Sequence, residues 1–297
     1  MRKIFPREFY LRQLRPFYDS DLIKVITGIR RCGKSCLMQS VALELKNRGV
    51  AEKDIIFLNL DKRGFKNIVT SDELEKAIVD SIGDDEFKYI FIDEVQNVKD
   101  FESVINAFRE DGNCSIFITG SNSYLLSGEL VTKLTGRYVQ IDMFPLAFDE
   151  FLAMKEFCGN KIGERRSEFD VYLTGGGFPK ALEFSDHDAK AKYVNDIVEQ
   201  IFEKDIRKRC KIKNRVVFDK VMTYLVNNFG SRINLQSLEN YFRSALQTPI
   251  KKETLKRYLK PMIDAGVDTL VLGCTHFPVL SNVIRKVLGN SVTLINM

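Results

Sequence analysis

The 297 residues are 44% hydrophobic and 29% charged, enough to bury a core in two or three structural units and ordinary for a globular chain. No run of 18 apolar residues occurs and the first 18 residues lack an apolar signal core, so a membrane span and a secretory leader are not expected, and the expected compartment is the cytoplasm. A net charge of +5 does not by itself imply nucleic acid, and six cysteines (32, 36, 114, 158, 210, 274) without a C-x-x-C pair, beside two histidines, speak against a zinc site or a disulfide framework. The cysteines are expected as buried free thiols.

In chain order, LIKVITG (22–28) is an apolar, β-branched run ending in glycine, which predicts a buried strand. KSCLMQSVALELKNRG follows at helical spacing and closes on Gly49. DIIFLNLD (54–61) reads as a second strand, and SDELEKAIVDSI (71–82) as a helix capped by Ser71 or Asp72. KYIFIDEV (88–95) is a third strand, DFESVINAFRED a helix, CSIFITGSNS (114–123) a fourth strand running into a polar loop, and RYVQIDM (137–143) a candidate fifth. Alternation of helices with strands that are apolar throughout implies a parallel sheet covered on both faces, with ligands at the carboxyl ends of its strands. From about residue 145 the pattern becomes helical. PLAFDEFLAMKEF and AKAKYVNDIVEQIFEKDI flank the glycine turn of YLTGGGFPKAL, and three further helices lie in NRVVFDKVMTYLVNNFGSRIN, LQSLENYFRSAL and KKETLKRYLKPMIDAG. Three helices with short turns fit a winged-helix or helix-turn-helix unit. EKDIRKRCKIKNR (203–215) concentrates Lys204, Arg207, Lys208, Arg209, Lys211, Lys213 and Arg215 against two acids, either a solvated basic face or a phosphate contact.

The chemistry gathers on two of these strand ends. Gly28-Ile29-Arg30-Arg31-Cys32-Gly33-Lys34-Ser35 matches G-x-x-x-x-G-K-[ST], with Cys36 next in the helix that follows. The glycines let backbone N–H groups point inward at phosphates, and the helix start adds partial positive charge. Lys34 is then expected to reach the β- and γ-phosphates of ATP, and the Ser35 hydroxyl to ligate Mg²⁺. Asp93 and Glu94 leave the third strand at its carboxyl end, Asp93 to hold the Mg²⁺ shell and Glu94 to act as general base on the attacking water. Ser121 and Asn122 end the next strand, where a polar group could sense the γ-phosphate. Arg137 is a candidate arginine finger or a structural cation.

These stretches, with FITGSNSYLLSGELVTKLTGRYVQIDMFPLAFDEFL, YLTGGGFPKAL and VEQIFEKDIRKR, resemble the stand-alone AAA-type ATPases of bacteria and archaea and the related STAND group, over about residues 4 to 260. The resemblance implies an α/β fold: a P-loop NTPase parallel sheet with a helical lid, then an α-rich winged-helix domain and here a short β-α tail. The corresponding division is 1–143 for the ATPase core, 144–195 for the lid, 196–263 for the winged helix and 264–297 for the tail. It also implies that Ser121 and Asn122 take the sensor position and that Arg137 is the arginine after it. A finger-type arginine implies a homo-oligomer, and the winged helix makes DNA a candidate partner beside residues 204–215. The large C-terminal domain expected of such proteins is replaced by PMIDAGVDTLVLGCTHFPVLSNVIRKVLGNSVTLINM.

That tail resembles the C-terminal part of glutamate racemase. The likeness makes Cys274 one of two thiol acid/base residues, Thr275 a substrate ligand and His276 a helper of the thiol. Stereoinversion needs a second acid/base on the opposite face, and residues 1–260 contain no match to the half of the site that supplies it, so no racemase activity is expected. The two similarities meet near residues 255–263. The expected function is Mg²⁺-dependent ATP hydrolysis coupled to a winged-helix domain. The alternative is a nucleotide-gated regulatory module with little turnover.

Overall fold

A computed structural model describes residues 4–83, 86–121, 134–203, 207, 212–227, 235–244 and 250–264. Two compact units divide the chain. The first comprises residues 1–163 and 177–185, the second residues 164–176 and 186–297. The stretch 144–195 expected as one lid is therefore shared between them.

The first unit is built on five strands, β1 (Ile23–Gly28), β2 (Ile55–Asn59), β3 (Lys88–Asp93), β4 (Cys114–Ser121) and β5 (Tyr138–Met143). All neighbouring pairs are parallel, in the order β2-β3-β4-β1-β5. Helices α1 (Glu8–Leu14), α2 (Lys34–Asn47), α3 (Ser71–Ile82), α4 (Phe101–Asp111) and α5 (Phe148–Phe157) accompany it. The strands read as continuous apolar runs because each face of the sheet has its own core. Val25, Ile90, Ile92 and Ile118 pack with Leu74 and Ile78 of α3 and with Phe101 and Ile105 of α4. The alternate residues Ile26, Phe91, Phe117 and Ile141 pack with Leu11 and Leu14 of α1 and with Leu37, Met38 and Val41 of α2. On that second face Phe57, Phe91 and Phe117 are opposite one another on β2, β3 and β4, and their rings stack at 5.5 Å and 4.6 Å. Lys24 shares this face. Its Nζ donates to Ser115 Oγ at 2.6 Å and the Ser20 carbonyl at 3.0 Å, and burial pushes its pKa down to about 7.

Two local expectations are refined. The cap of α3 is Thr70, not Ser71 or Asp72: its hydroxyl accepts the Glu73 N–H, and the Glu73 carboxylate accepts the Thr70 N–H in return. Gly49 lies one residue beyond the C-cap of α2, at φ 96°, where its N–H reaches the Lys46 carbonyl and that of Val50 reaches Leu45. The thiols also divide. Cys32 and Cys114 are buried as expected, whereas Cys36 in the first turn of α2 and Cys158 at the C-cap of α5 are exposed.

The second unit contains α6 (Arg165–Gly175), α7 (His187–Ile201), α8 (Arg215–Asn227), α9 (Leu235–Ser244) and α10 (Lys252–Asp264). Phe218 and Val221 of α8, Leu238 and Phe242 of α9, and Leu255 and Tyr258 of α10 form its core. Helix α10 runs without interruption across the 255–263 stretch where the two sequence similarities meet. Among the described residues, no helix is long and apolar enough to cross a membrane.

Candidate functional site

Because β4 lies between β3 and β1, the ends of β1 and β3 flank the end of β4 at a separation of two strand spacings, about 10 Å. The G-x-x-x-x-G-K-S loop leaves β1 at Gly28, and α2 begins at Lys34. Gly28 must be glycine, since a Cβ there would meet the Met143 carbonyl oxygen at 2.3 Å with φ at 155°. Gly28→Ala is expected to lose about 1–3 kcal/mol to backbone strain before that clash is counted. A thermal melt of the variant would show this as a lowered Tm, with nucleotide binding weakened as well.

Lys34 is 5% exposed, and its Nζ donates to the carbonyls of Gly28 at 2.9 Å and Ile29 at 3.2 Å. The ammonium thus lies inside the curve of the loop. Arg31 holds φ 66° without being glycine. Burial pushes the Cys32 thiol up, so this loop cysteine stays protonated at neutral pH. Ile29 and Arg30 complete the loop, and Ser35 and Cys36 stand in the first turn of α2.

Asp93 is 1% exposed at the end of β3. Its Oδ1 accepts the Thr119 hydroxyl at 2.5 Å, and its Oδ2 accepts the Asn59 amide at 2.7 Å. Each carboxylate oxygen retains a lone pair, and with the Ser35 hydroxyl they make an all-oxygen donor set of the kind Mg²⁺ takes. These residues fit the ion in chemistry, with Asp93 suited to holding its water shell. Glu94 sits in the left-handed region at φ 61°. Its N–H donates to Thr119 Oγ1 at 3.0 Å, and its carboxylate accepts the side-chain amide of Gln96. Arg31 and Glu94 are two of the three non-glycine residues with positive φ among the described residues, and such strain of about 1–3 kcal/mol each gathers at functional sites.

Thr119, Asn59 and Gln96 were not legible as site residues from the motifs. Thr119 is the most consequential, because one buried hydroxyl orients Asp93 and anchors the Glu94 backbone together. Thr119→Val leaves a buried acceptor on Asp93 and the half-buried N–H of Glu94 unmatched, a cost of about 1–3 kcal/mol. The expected result is a Tm lowered by about 2–4 °C per kcal/mol, measured by calorimetry, with ATP turnover reduced.

Gly177 was read only as part of a turn. It lies against Leu146, whose N–H it accepts at 2.7 Å, and Pro179 comes within 3.9 Å of a Cβ built on Gly33. The GGFP turn therefore reaches the phosphate loop.

The remaining predicted residues separate. Ser121 is the register partner of Gly28, so its backbone is beside the loop. Asn122, Cys274, Thr275 and His276 lie outside the described residues. Arg137 does not join the site within one chain. Its carbonyl accepts the N–H of Ile23, at the amino end of β1, five residue steps or about 16 Å from Gly28. Its guanidinium donates to Asn106 at 2.9 Å and lies 3.8 Å from Glu110. The physical reason is the parallel crossover, which returns the chain from the carboxyl end of β4 to the opposite end of the sheet. In the basic stretch, Arg207 pairs with Glu203 at 2.8 Å, and Arg215 pairs with Glu199 at 2.9 Å and Asp219 at 2.8 Å. Lys204, Lys208, Arg209 and Lys211 lie outside the described residues. Among the described residues, no group of three or more His, Cys, Asp or Glu is placed to hold a metal by itself.

A glycine loop and helix at the end of β1, faced across β4 by an acidic pair, define a P-loop domain. Residues 20–152 match the family model described as AAA domain, and residues 166–276 match a domain of unknown function (DUF8612). Over residues 20–152 the chain is therefore similar to an AAA-type P-loop domain. An uncharacterized protein of Haemophilus influenzae is 34% identical over 261 residues, 87% of this chain, and the chain spans 64% of that protein's length. The Walker-type ATPase of Pyrococcus abyssi superposes with a TM-score of 0.58 at 15% identity, covering 96% of each chain, a likeness of fold. A glutamate racemase of Cupriavidus pinatubonensis is 60% identical over 42 residues, 14% of this chain and 15% of that enzyme. The domain of unknown function runs to His276 and so includes the Cys-Thr-His stretch.

Proposed function

We propose that the chain binds ATP with Mg²⁺ in the Gly28–Ser35 loop and hydrolyses it. The observation that carries this reading is the Thr119 bridge, which fixes Asp93 and Glu94 together at the strand end across β4 from Lys34. Lys34 and the loop N–H groups neutralise the phosphates, Ser35 and Asp93 hold the ion, and Glu94 takes the proton of the attacking water. Bound Mg²⁺ supplies charge neutralisation at the β- and γ-phosphates. Ser121 and Asn122 sense the γ-phosphate from the end of β4. Arg137 can serve as a finger only from a neighbouring copy, so that role and a homo-oligomer are proposed together.

Helices α8 to α10 form the winged-helix domain, the lid is the 144–195 stretch, and the protein works in the cytoplasm. DNA is the proposed partner of the winged helix, through the basic residues of 204–215. The 264–297 tail carries one half of a racemase site and does not racemise glutamate. Steady-state phosphate release from Mg²⁺-ATP by purified protein tests the main claim, and a protein that binds ATP without release would refute it. One observation favours the nucleotide-gated module instead: the Gln96 amide already holds one oxygen of the Glu94 carboxylate. The same assay on Glu94→Gln separates the two readings.

A further inference from the structure

Arg7, well upstream of the phosphate loop in sequence, is 4% exposed. Its Nη1 donates to the Cys32 carbonyl at 3.3 Å and the Phe144 carbonyl at 2.9 Å, and its Nη2 to the Pro145 carbonyl at 3.3 Å. Nη2 and Nε also grip Glu150, at 2.5 Å and 2.7 Å. All five guanidinium N–H donors are thereby used. The guanidinium lies 4.8 Å from the Tyr10 ring centroid, and the Tyr10 hydroxyl accepts the Phe144 N–H at 3.0 Å. Glu150 in turn accepts the Ala147 N–H at 3.0 Å.

One of these acceptors belongs to the phosphate loop itself. A loop that turns its N–H groups toward an anion turns carbonyls the other way, and a buried carbonyl requires a donor. We propose that Arg7, held by Glu150, is a positioning residue for phosphate binding: it fixes the outward Cys32 carbonyl and so keeps the loop's N–H groups turned inward. The inference rests on the loop being the nucleotide site proposed above. Arginine suits the task because its fork serves five acceptors at fixed angles, whereas a lysine ammonium is a point charge with three donors. Glu150 balances the buried charge and sets the orientation of the fork. The loop's shape therefore depends on a carboxylate in α5, distant in sequence.

The test uses the full chain with Arg7→Lys and Glu150→Gln, and Arg15→Lys as control. Arg15 ties the N-terminal segment to Glu8 and Glu44 and bonds no loop atom. Hydrogen–deuterium exchange of amides 29–33 in nucleotide-free protein is expected to quicken about tenfold in Arg7→Lys and Glu150→Gln and to stay unchanged in the control. ATP affinity by titration calorimetry, well below each variant's Tm, is expected to weaken about tenfold, the size of one charged hydrogen bond. A lowered Tm with unchanged loop exchange and unchanged affinity would overturn the proposal, leaving Arg7 a staple of the fold. Should Arg7→Lys not fold, Glu150→Gln decides alone. If the wild type binds no ATP, the functional reading fails, while the exchange measurement still decides whether Arg7 positions the loop.

Discussion

Lys34→Ala is expected to remove ATP binding, with Kd raised about a hundredfold or more. The ammonium of Lys34 is 5% exposed and donates to two carbonyls of its own loop, Gly28 and Ile29. A charge-assisted bond to phosphate contributes about 1.5–3 kcal/mol, which is about one to two decades of affinity. In this variant the loss exceeds one bond, because the Gly28 and Ile29 carbonyls also lose the donor they share. The measurement is titration with ATP in Mg²⁺ buffer, alongside a thermal melt without nucleotide. Weakened binding with a preserved melt locates the loss in the site. Normal binding would mean that the loop does not hold the phosphates, whatever its sequence.

What could be read ahead of the structure follows from which interactions are local. The strands were legible because both faces of the sheet are covered, so every residue of KYIFID is apolar or paired. The phosphate loop was legible because its glycines, lysine and helix start are contiguous, and the acidic pair because it ends a strand. Thr119 and Asn59 were not, since their meeting with Asp93 depends on β3 lying between β2 and β4, which no local pattern states. The end of the sheet at which Arg137 stands was not legible for a related reason. It follows β4 in sequence, but a parallel β5 begins where β4 began. Arg7 is the extreme case. Its carboxylate partner is 143 positions away, and an arginine near an N-terminus reads as a solvated charge until that partner is found. The α6 helix escaped notice because the glycines of LTGGGFP dominate its end and its buried residues are few.

Glu94→Gln is expected to bind ATP as the wild type does and to hydrolyse it about 10² to 10⁴ times more slowly, the contribution of a positioned general base. The substitution is clean here for a structural reason. The Glu94 backbone is pinned by the Thr119 hydroxyl at 3.0 Å, a contact the side-chain change does not touch. Gln96 donates its amide to the Glu94 carboxylate, and a glutamine carbonyl at 94 can accept that same bond. Shape, strain at φ 61° and both neighbours are thus retained while the proton acceptor is lost. Single-turnover phosphate release with saturating Mg²⁺-ATP, paired with a binding titration, reads the two quantities separately. A collapse in rate at constant affinity assigns the base. Equal rates in variant and wild type would mean that Glu94 takes no proton. Its hydrogen bond to Gln96 would then be its resting role, and the chain a nucleotide-gated switch whose turnover is incidental.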